Sequence, residues 1–280
     1  MISSLKDTET VSHQIVEAMR LLGLSRPCFH SEADFQFALA WQFKVLMPGA
    51  EIRLEIPQVI GPATYKLDVL VRALDAKVAL ELKYLKAPLS GEIGGEGFNL
   101  VDAVAHDINR YDVLKDVQRL EQILGANRAD HGFAIVLTNQ PKYWEPRKAG
   151  NRVDEAFGIE QDRKLGGEMA WAPHTGGTSK GREKTISLAG TYVLNWLDYS
   201  DLSMHRFGQF RWLCVSVARG LVPTESARLA RFEAVVPAHS RTRPDYEAFR
   251  AYLDRQDAES LELSFSEIEA VTGELPKSAE

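Results

Sequence analysis

Three side chains in the first third of the chain have the types and spacing needed for metal-assisted chemistry. Asp68 interrupts an apolar run, and after a gap of 12 residues the chain reads Glu81-Leu82-Lys83. Side chains alternate across a strand, so Glu81 and Lys83 should share one face. Two carboxylates can hold Mg²⁺ or Mn²⁺, which polarises a phosphate and activates a water, while a lysine orients that water or stabilises developing charge. Asp68, Glu81 and Lys83 therefore predict metal-dependent hydrolysis of a phosphodiester, with Asp68 and Glu81 as the metal ligands.

The elements that must position these residues change from helical to strand periodicity and back. Apolar residues recur at helical spacing before residue 47, alternate at strand spacing from 51 to 84, and return to helical spacing after 101. The pattern predicts a mixed α/β layer fold with helices packed against a sheet. The predicted elements are helices at 10–23, 31–47 and 101–124, a three-strand meander at 51–59, 65–73 and 77–84, and a strand at 132–137.

The rest of the chain contains fewer periodic segments. The glycine-rich residues 88–99 favour a mobile loop, 140–184 are polar and loop-rich, and two further strands are expected at 185–196 and 210–218. We expect a main domain over 1–220, a linker over 221–244, and a small acidic helical segment over 245–280.

The residues Asp68, Glu81 and Lys83 resemble the D-x(n)-E-x-K signature of the PD-(D/E)XK, or restriction-endonuclease-like, nuclease superfamily. The resemblance covers about residues 28–138 and includes the order of helix, meander, helix and strand; the proline that often precedes the aspartate is absent. It implies a restriction-endonuclease-like mixed sheet flanked by helices, and cleavage of DNA, less often RNA, in a setting such as bacterial restriction or defence. Family members often carry an acidic residue on the first core helix, and Glu32 falls at that position, so the resemblance implies that Glu32 is a catalytic residue that supports the metal or its water.

The resemblance also implies a polar face on the helix that follows the meander. Asp107, Arg110, Gln118 and Arg119 are the candidates there, with the two arginines expected to contact nucleic acid. Further along, the stretch 171–184 offers Lys180 and Arg182 as candidate phosphate contacts.

Each of these assignments has a simpler alternative. A Glu-x-Lys pair on a half-exposed strand is often a pair of solvated charges, and an acid in a first helical turn is favoured by the helix dipole. The polar residues of the helix at 101–124 can be the solvated side of an amphipathic helix, and 171–184 can be a solvated loop. A non-catalytic nucleic-acid-binding or regulatory module on the same fold remains a second functional hypothesis.

Composition sets wider bounds on the class of protein. The net charge is −6, but residues 245–280 hold 10 acidic and 3 basic residues, which leaves 29 acidic and 30 basic residues in the first 244. Because phosphate binding depends on local charge, a near-neutral body can still carry a basic cleft. The two cysteines form no CxxC pair, and no apolar run is long enough for a membrane span, so we expect a cytoplasmic protein without a membrane partner. Nucleic acid, DNA rather than RNA, is the expected partner, and a homodimer is left open.

Overall fold

A computed structural model describes residues 8–60, 63–73, 76–148, 150 and 152–218 of the chain. The predicted linker at 221–244 and acidic segment at 245–280 lie outside the described residues. The described part forms three α-helices, and none of them is long and apolar enough to span a membrane. The helices are α1 (Thr8–Ser25), α2 (Glu32–Leu46) and α3 (His106–Gly125).

Ten strands accompany the helices in the described residues, and six of them form one mixed sheet. The sheet order is β1-β2-β3-β6-β10-β9, and its one parallel pair among the described strands is β3 with β6. The remaining strands form two separate hairpins. The strands are β1 (Glu51–Ile60), β2 (Ala63–Arg72), β3 (Lys77–Leu85), β4 (Leu89–Ile93), β5 (Glu96–Leu100), β6 (His131–Thr138), β7 (Lys164–Met169), β8 (Ile186–Val193), β9 (Trp196–Asp201) and β10 (Gln209–Ala218).

The sheet is covered on both faces, which gives the protein two apolar cores. Helices α1 and α2 pack on one face, against residues such as Leu80 and Leu82 of β3. Helix α3 and the β7–β8 hairpin pack on the other face, against residues such as Ala79 of the same strand. All eight residues of β6 are buried, as expected for a strand covered on both sides. The α/β class predicted from the sequence is confirmed.

The glycine-rich segment at 88–99 is a β-hairpin, so the prediction of a mobile loop there was wrong. Strands β4 and β5 are joined at Gly94 and Gly95, whose φ angles of 61° and 83° suit a tight two-residue turn. The His30 ring stacks on Phe98 of β5, with ring centroids 4.3 Å apart. The glycines therefore shape an ordered turn, and an aromatic contact holds the hairpin on the main body.

The alternation of buried side chains changes phase partway along β1 and β2. The paired residues Leu54 and Val69 pack on the α1–α2 side of the sheet. Two positions further along, the paired residues Ile56 and Leu67 pack on the α3 side. In a regular strand, residues two apart face the same side. The rung between these two pairs must therefore be distorted.

That rung consists of Glu55 and Asp68. The ladder pairs the residues on both sides of it in one unbroken register, but Glu55 and Asp68 themselves do not pair. Glu55 has a φ of 54°, a left-handed conformation that costs a non-glycine residue about 1 kcal/mol or more. The distortion lies beside the residue that the sequence singles out as a metal ligand.

We expect Glu55→Gly to be more stable than Glu55→Ala by about 1 kcal/mol. Both substitutions remove the half-exposed side chain, but only glycine also removes the Cβ that disfavours the left-handed conformation. This ranking is opposite to the usual one, since glycine inside a strand is normally less stable than alanine. Urea unfolding of the two variants measures the difference.

The matched control is the same pair of substitutions at Arg53, a regularly paired residue of the same strand. There the alanine variant should be the more stable of the two. An alanine variant that is as stable as the glycine variant at position 55 would show that the backbone there is not strained.

Candidate active site

Strands β2 and β3 separate where the candidate residues begin. Their last paired residues are Val69 and Leu80. Beyond that rung, the Leu82 N–H donates to the Asp68 carboxylate, at 2.7 Å from Oδ2. A side chain thus replaces the missing strand partner, which fixes Asp68 against the strand that carries Glu81 and Lys83.

Helix α2 supplies further hydrogen-bond acceptors and donors where β2 and β3 no longer pair. The Tyr84 N–H donates to Oε2 of Glu32 at 2.8 Å, so Glu32 binds the main chain of β3. One helical turn later, Gln36 Nε2 donates to the Asp68 carbonyl oxygen at 2.7 Å and to Glu55 Oε1 at 3.1 Å. Ser31 begins the helix as its N-cap, and its side chain accepts from the third residue on. Glu32 and Gln36 therefore connect α2 to both sides of the gap between β2 and β3.

Glu81 lies on the α3 side of the sheet and is almost fully buried. It is 2% exposed, and its Oε1 is enclosed without a hydrogen-bond partner. Burial raises the pKa of Glu81 well above its usual range, and the nearby carboxylates of Asp116 and Asp68 raise it further. A buried acceptor with this much negative charge around it needs a proton or a cation.

Asp68 shares this environment to a lesser degree. Burial is the main cause that raises the pKa of Asp68 to about 6, with Asp116 and Glu32 adding to the rise. The hydrogen bond from the Leu82 N–H and the positive charge of Lys83 oppose it. Near neutral pH, Asp68 is therefore the carboxylate that ionises first in the pair.

Lys83 is held between a carboxylate and a main-chain carbonyl. Its Nζ lies 2.8 Å from Asp116 Oδ2, and the two groups form an ion pair. The same Nζ donates to the Leu82 carbonyl oxygen at 3.1 Å. Burial alone would lower the pKa of Lys83, but the charges of Asp116 and Glu32 outweigh it and the net shift is upward. Lys83 is therefore a cation in this arrangement.

Asp116 and Arg119 of α3 complete the set on the side facing β3. The Asp116 side chain is 4% exposed, and Arg119 Nη1 donates to its Oδ1 at 2.7 Å. The Arg119 guanidinium also lies over the Tyr65 ring, 5.1 Å from its centroid. Burial and the charge of Glu81 raise the pKa of Tyr65 to about 12. The helix thus brings one acid and one base to the site.

The donors here fit a hard divalent cation in part. Asp68, Glu81 and the Leu82 carbonyl supply oxygen atoms, which are the ligands that Mg²⁺ and Mn²⁺ take, and Mg²⁺ retains several waters. The unpartnered Glu81 oxygen is the observation that favours a cation. No cluster of three or more His, Cys, Asp or Glu side chains suited to a metal ion occurs among the described residues. The candidate ligands for a cation are therefore two carboxylates and one carbonyl oxygen. Glu32 is not counted among them, because its carboxylate accepts a hydrogen bond from the β3 main chain.

Arg110 does not lie where a phosphate could reach it. It is 6% exposed, its Nη1 donates to Asp154 Oδ2 at 2.9 Å, and its Nη2 donates to the Lys142 carbonyl oxygen at 2.7 Å. Its guanidinium also lies over the Tyr143 ring. Arg110 packs α3 against the segment after β6, so we leave it out of the proposed interface.

The other predicted polar residues are distributed along α3 and the stretch that covers it. Arg182 forms two hydrogen bonds of 2.9 Å with the Asp112 carboxylate, and Lys180 is exposed beside it. Asp107 accepts from the Thr178 hydroxyl, and Gln118 donates to the main chain of β8. The contacts of Thr178 and Arg182 attach 171–184 to α3, so this stretch packs on the body of the protein. Of the candidate bases, Arg119 alone contacts the acids of the site.

Comparisons with known proteins give no family for this chain. A scan against protein-family models and searches of curated proteins and of solved structures all find no match.

Asp116 and Gln36 are not among the residues predicted from the sequence. Asp116 lies between Val113 and Leu120 at helical spacing, and this spacing places a charged residue on the buried side of α3. Gln36 follows Glu32 by one helical turn, on the same side of α2. A polar residue on an otherwise apolar helix side was the available signal in both cases.

Proposed function

We propose that this protein is a metal-dependent nuclease of the restriction-endonuclease-like type, with Asp68, Glu81 and Lys83 at its active centre. The observation that carries the proposal is the buried Glu81 carboxylate, which has an oxygen without a partner beside a second carboxylate and a lysine. The elements around it are a helix, a three-strand meander, the β4–β5 hairpin, a helix and a strand, which is the order expected of that type of nuclease with one hairpin added.

The charges of the site favour a cation. When ionised, the buried or half-buried carboxylates of Asp68, Glu81 and Asp116 carry three negative charges against the two positive charges of Lys83 and Arg119, and the exposed Glu32 adds a fourth negative charge nearby. Buried charges are costly unless they are paired, so the excess of negative charge among the buried groups calls for a proton or a cation. Carboxylates with raised pKa values are also a general mark of functional sites.

The chain's own groups can be given roles in hydrolysis. Asp68 and Glu81, with the Leu82 carbonyl, would hold Mg²⁺ or Mn²⁺. Such an ion polarises a bound phosphate and lowers the pKa of a bound water. Lys83 orients the attacking water or stabilises the negative charge that develops on the phosphate. Glu32 acts by holding the β3 main chain at Tyr84, next to the proposed metal ligands.

The test is cleavage of plasmid, linear duplex DNA, single-stranded DNA and RNA with Mg²⁺ or Mn²⁺. We expect the wild type to cleave at least one of them, DNA before RNA, and Asp68→Ala and Lys83→Ala each to lower the rate on the order of 10³-fold. Glu92→Ala, on the exposed side of the β4–β5 hairpin, is the matched control and should retain full activity.

Each outcome of the assay has a definite meaning. Equal cleavage by the wild type and both active-site variants would place the activity elsewhere or in a contaminant. Retained binding of nucleic acid without cleavage by any protein would favour the binding-module hypothesis. Sedimentation of the same samples shows whether a homodimer is the active form.

A further inference from the structure

Asp116 occupies a position between the proposed catalytic lysine and the helix that covers it. Its Oδ2 lies 2.8 Å from Lys83 Nζ, and its Oδ1 accepts from Arg119 at 2.7 Å. Asp116 is 3% exposed, so both contacts are made away from bulk water. A carboxylate in such a place is tolerated only because it is paired on both sides.

The alternative partners of Lys83 are the carboxylates that would hold the cation. Lys83 is close enough to Asp68 and Glu81 to lower the pKa of each. Without a third acid, its ammonium group would be attracted to these two carboxylates and would compete with a divalent cation for them. The lysine instead pairs with the acid that α3 supplies.

We propose that Asp116 is a positioning residue that holds the Lys83 ammonium on the α3 side of the site and leaves Asp68 and Glu81 to the cation. Arg119 fixes the rotamer of Asp116 from within the same helix, three residues on. The inference rests on the proposed function for its purpose, but the contact itself exists without metal or substrate.

The first test measures how Lys83 is held in the metal-free protein. Reductive methylation followed by peptide mass spectrometry gives a rate for each lysine. We expect Asp116→Asn to raise the methylation rate of Lys83 about tenfold, because it removes the charge of the buried partner and keeps its shape. Lys77 and Lys86, at the two ends of the same stretch of chain, should react at wild-type rates.

The matched control is Asp112→Asn, one helical turn earlier on α3. Asp112 pairs with Arg182 instead of a strand residue, so its substitution should leave the Lys83 rate unchanged. The second readout is cleavage: Asp116→Asn should lower kcat about tenfold and leave the KM for nucleic acid unchanged, as expected for a group that acts through Lys83.

The outcomes separate this inference from the proposed function. An unchanged Lys83 rate in Asp116→Asn, or a rate that rises together with those of Lys77 and Lys86, would overturn the inference whether or not the protein cleaves nucleic acid. A selective rise at Lys83 supports it. If that rise occurs while the wild type cleaves no substrate, the proposed function fails and the positioning contact stands.

Discussion

Glu81→Gln is expected to make the metal-free protein more stable at pH 8, by on the order of 2 kcal/mol. The folded protein holds the Glu81 proton more tightly than the unfolded chain does, because the carboxyl is buried beside Asp116 and Asp68. Above about pH 4.5, the ordinary value for a glutamate, the unfolded chain releases this proton and the folded protein retains it. Stability therefore falls as the pH rises through this window, and glutamine removes the effect.

Urea unfolding at pH 4.5, 6 and 8 in the presence of EDTA measures this difference. The two proteins should be nearly equal at pH 4.5 and should diverge as the pH rises. Ionisation of Asp68 should lower the free energy of unfolding of both proteins by a similar amount as the pH rises from about 4 to about 6. Glu92→Gln is the matched control, and since Glu92 is exposed it should follow the wild type at every pH. A stability gain that is independent of pH would contradict the account.

Adding Mn²⁺ at pH 8 should reverse this ranking. A cation that binds only the folded protein stabilises it by about 2.7 kcal/mol at a hundred times its dissociation constant. The wild type should gain this stability, and Glu81→Gln should gain little of it. The Glu81 carboxylate would then lower the stability of the metal-free protein and be required for metal binding. Such a trade-off between stability and function is expected of functional sites.

Asp154→Ala is expected to lower the free energy of unfolding by about 3 kcal/mol or more. Asp154 Oδ2 accepts from Arg110 at 2.9 Å and from Arg147 at 3.0 Å, and all three side chains are less than 10% exposed. Removing the aspartate leaves two buried guanidinium groups with less negative charge to balance them, although Glu160 still pairs with Arg147. The effect should appear in urea unfolding with little change in the affinity for nucleic acid.

The matched control is Asp198→Ala, which breaks an ion pair with Arg211. Asp198 is 77% exposed, and exposed pairs contribute about 0–1 kcal/mol. Similar losses in the two variants would show that the network around Arg110 is not a buried one. A large loss confined to Asp154→Ala would show that Arg110 and Arg147 form a buried network that stabilises the fold.

The sequence contained enough information to predict the local elements and the acidic pair. The helices, the meander and the strands at β6, β8 and β10 follow from apolar periodicity, because burial on one side of each element sets the period. The positions of Asp68 and Glu81 follow from a charge that interrupts an apolar strand and from alternation along β3. These signals are local, so they can be interpreted without knowing what packs against each element.

The features that the sequence did not predict depend on contacts between distant segments. Asp116 is the partner of Lys83 because of the way α3 packs across β3. The spacing of residues along the chain does not predict that packing. The distorted rung at Glu55 and the separation of β2 from β3 also arise between strands. Strand β9 was missed for the same reason, since its pattern of exposed and half-exposed residues is that of an edge strand next to β10.

The position of β10 inside the sheet has a consequence for biosynthesis. Strand β10 pairs with β6 on one side and β9 on the other, yet it is the last described strand to leave the ribosome. Until it does, β6, with eight residues that are all buried in the finished sheet, exposes an unpaired apolar edge. Such an edge is a template for aggregation in a nascent chain. We therefore expect the sheet that carries Asp68, Glu81 and Lys83 to close only after translation has passed residue 218, and ribosome stalling before that point to leave an aggregation-prone intermediate.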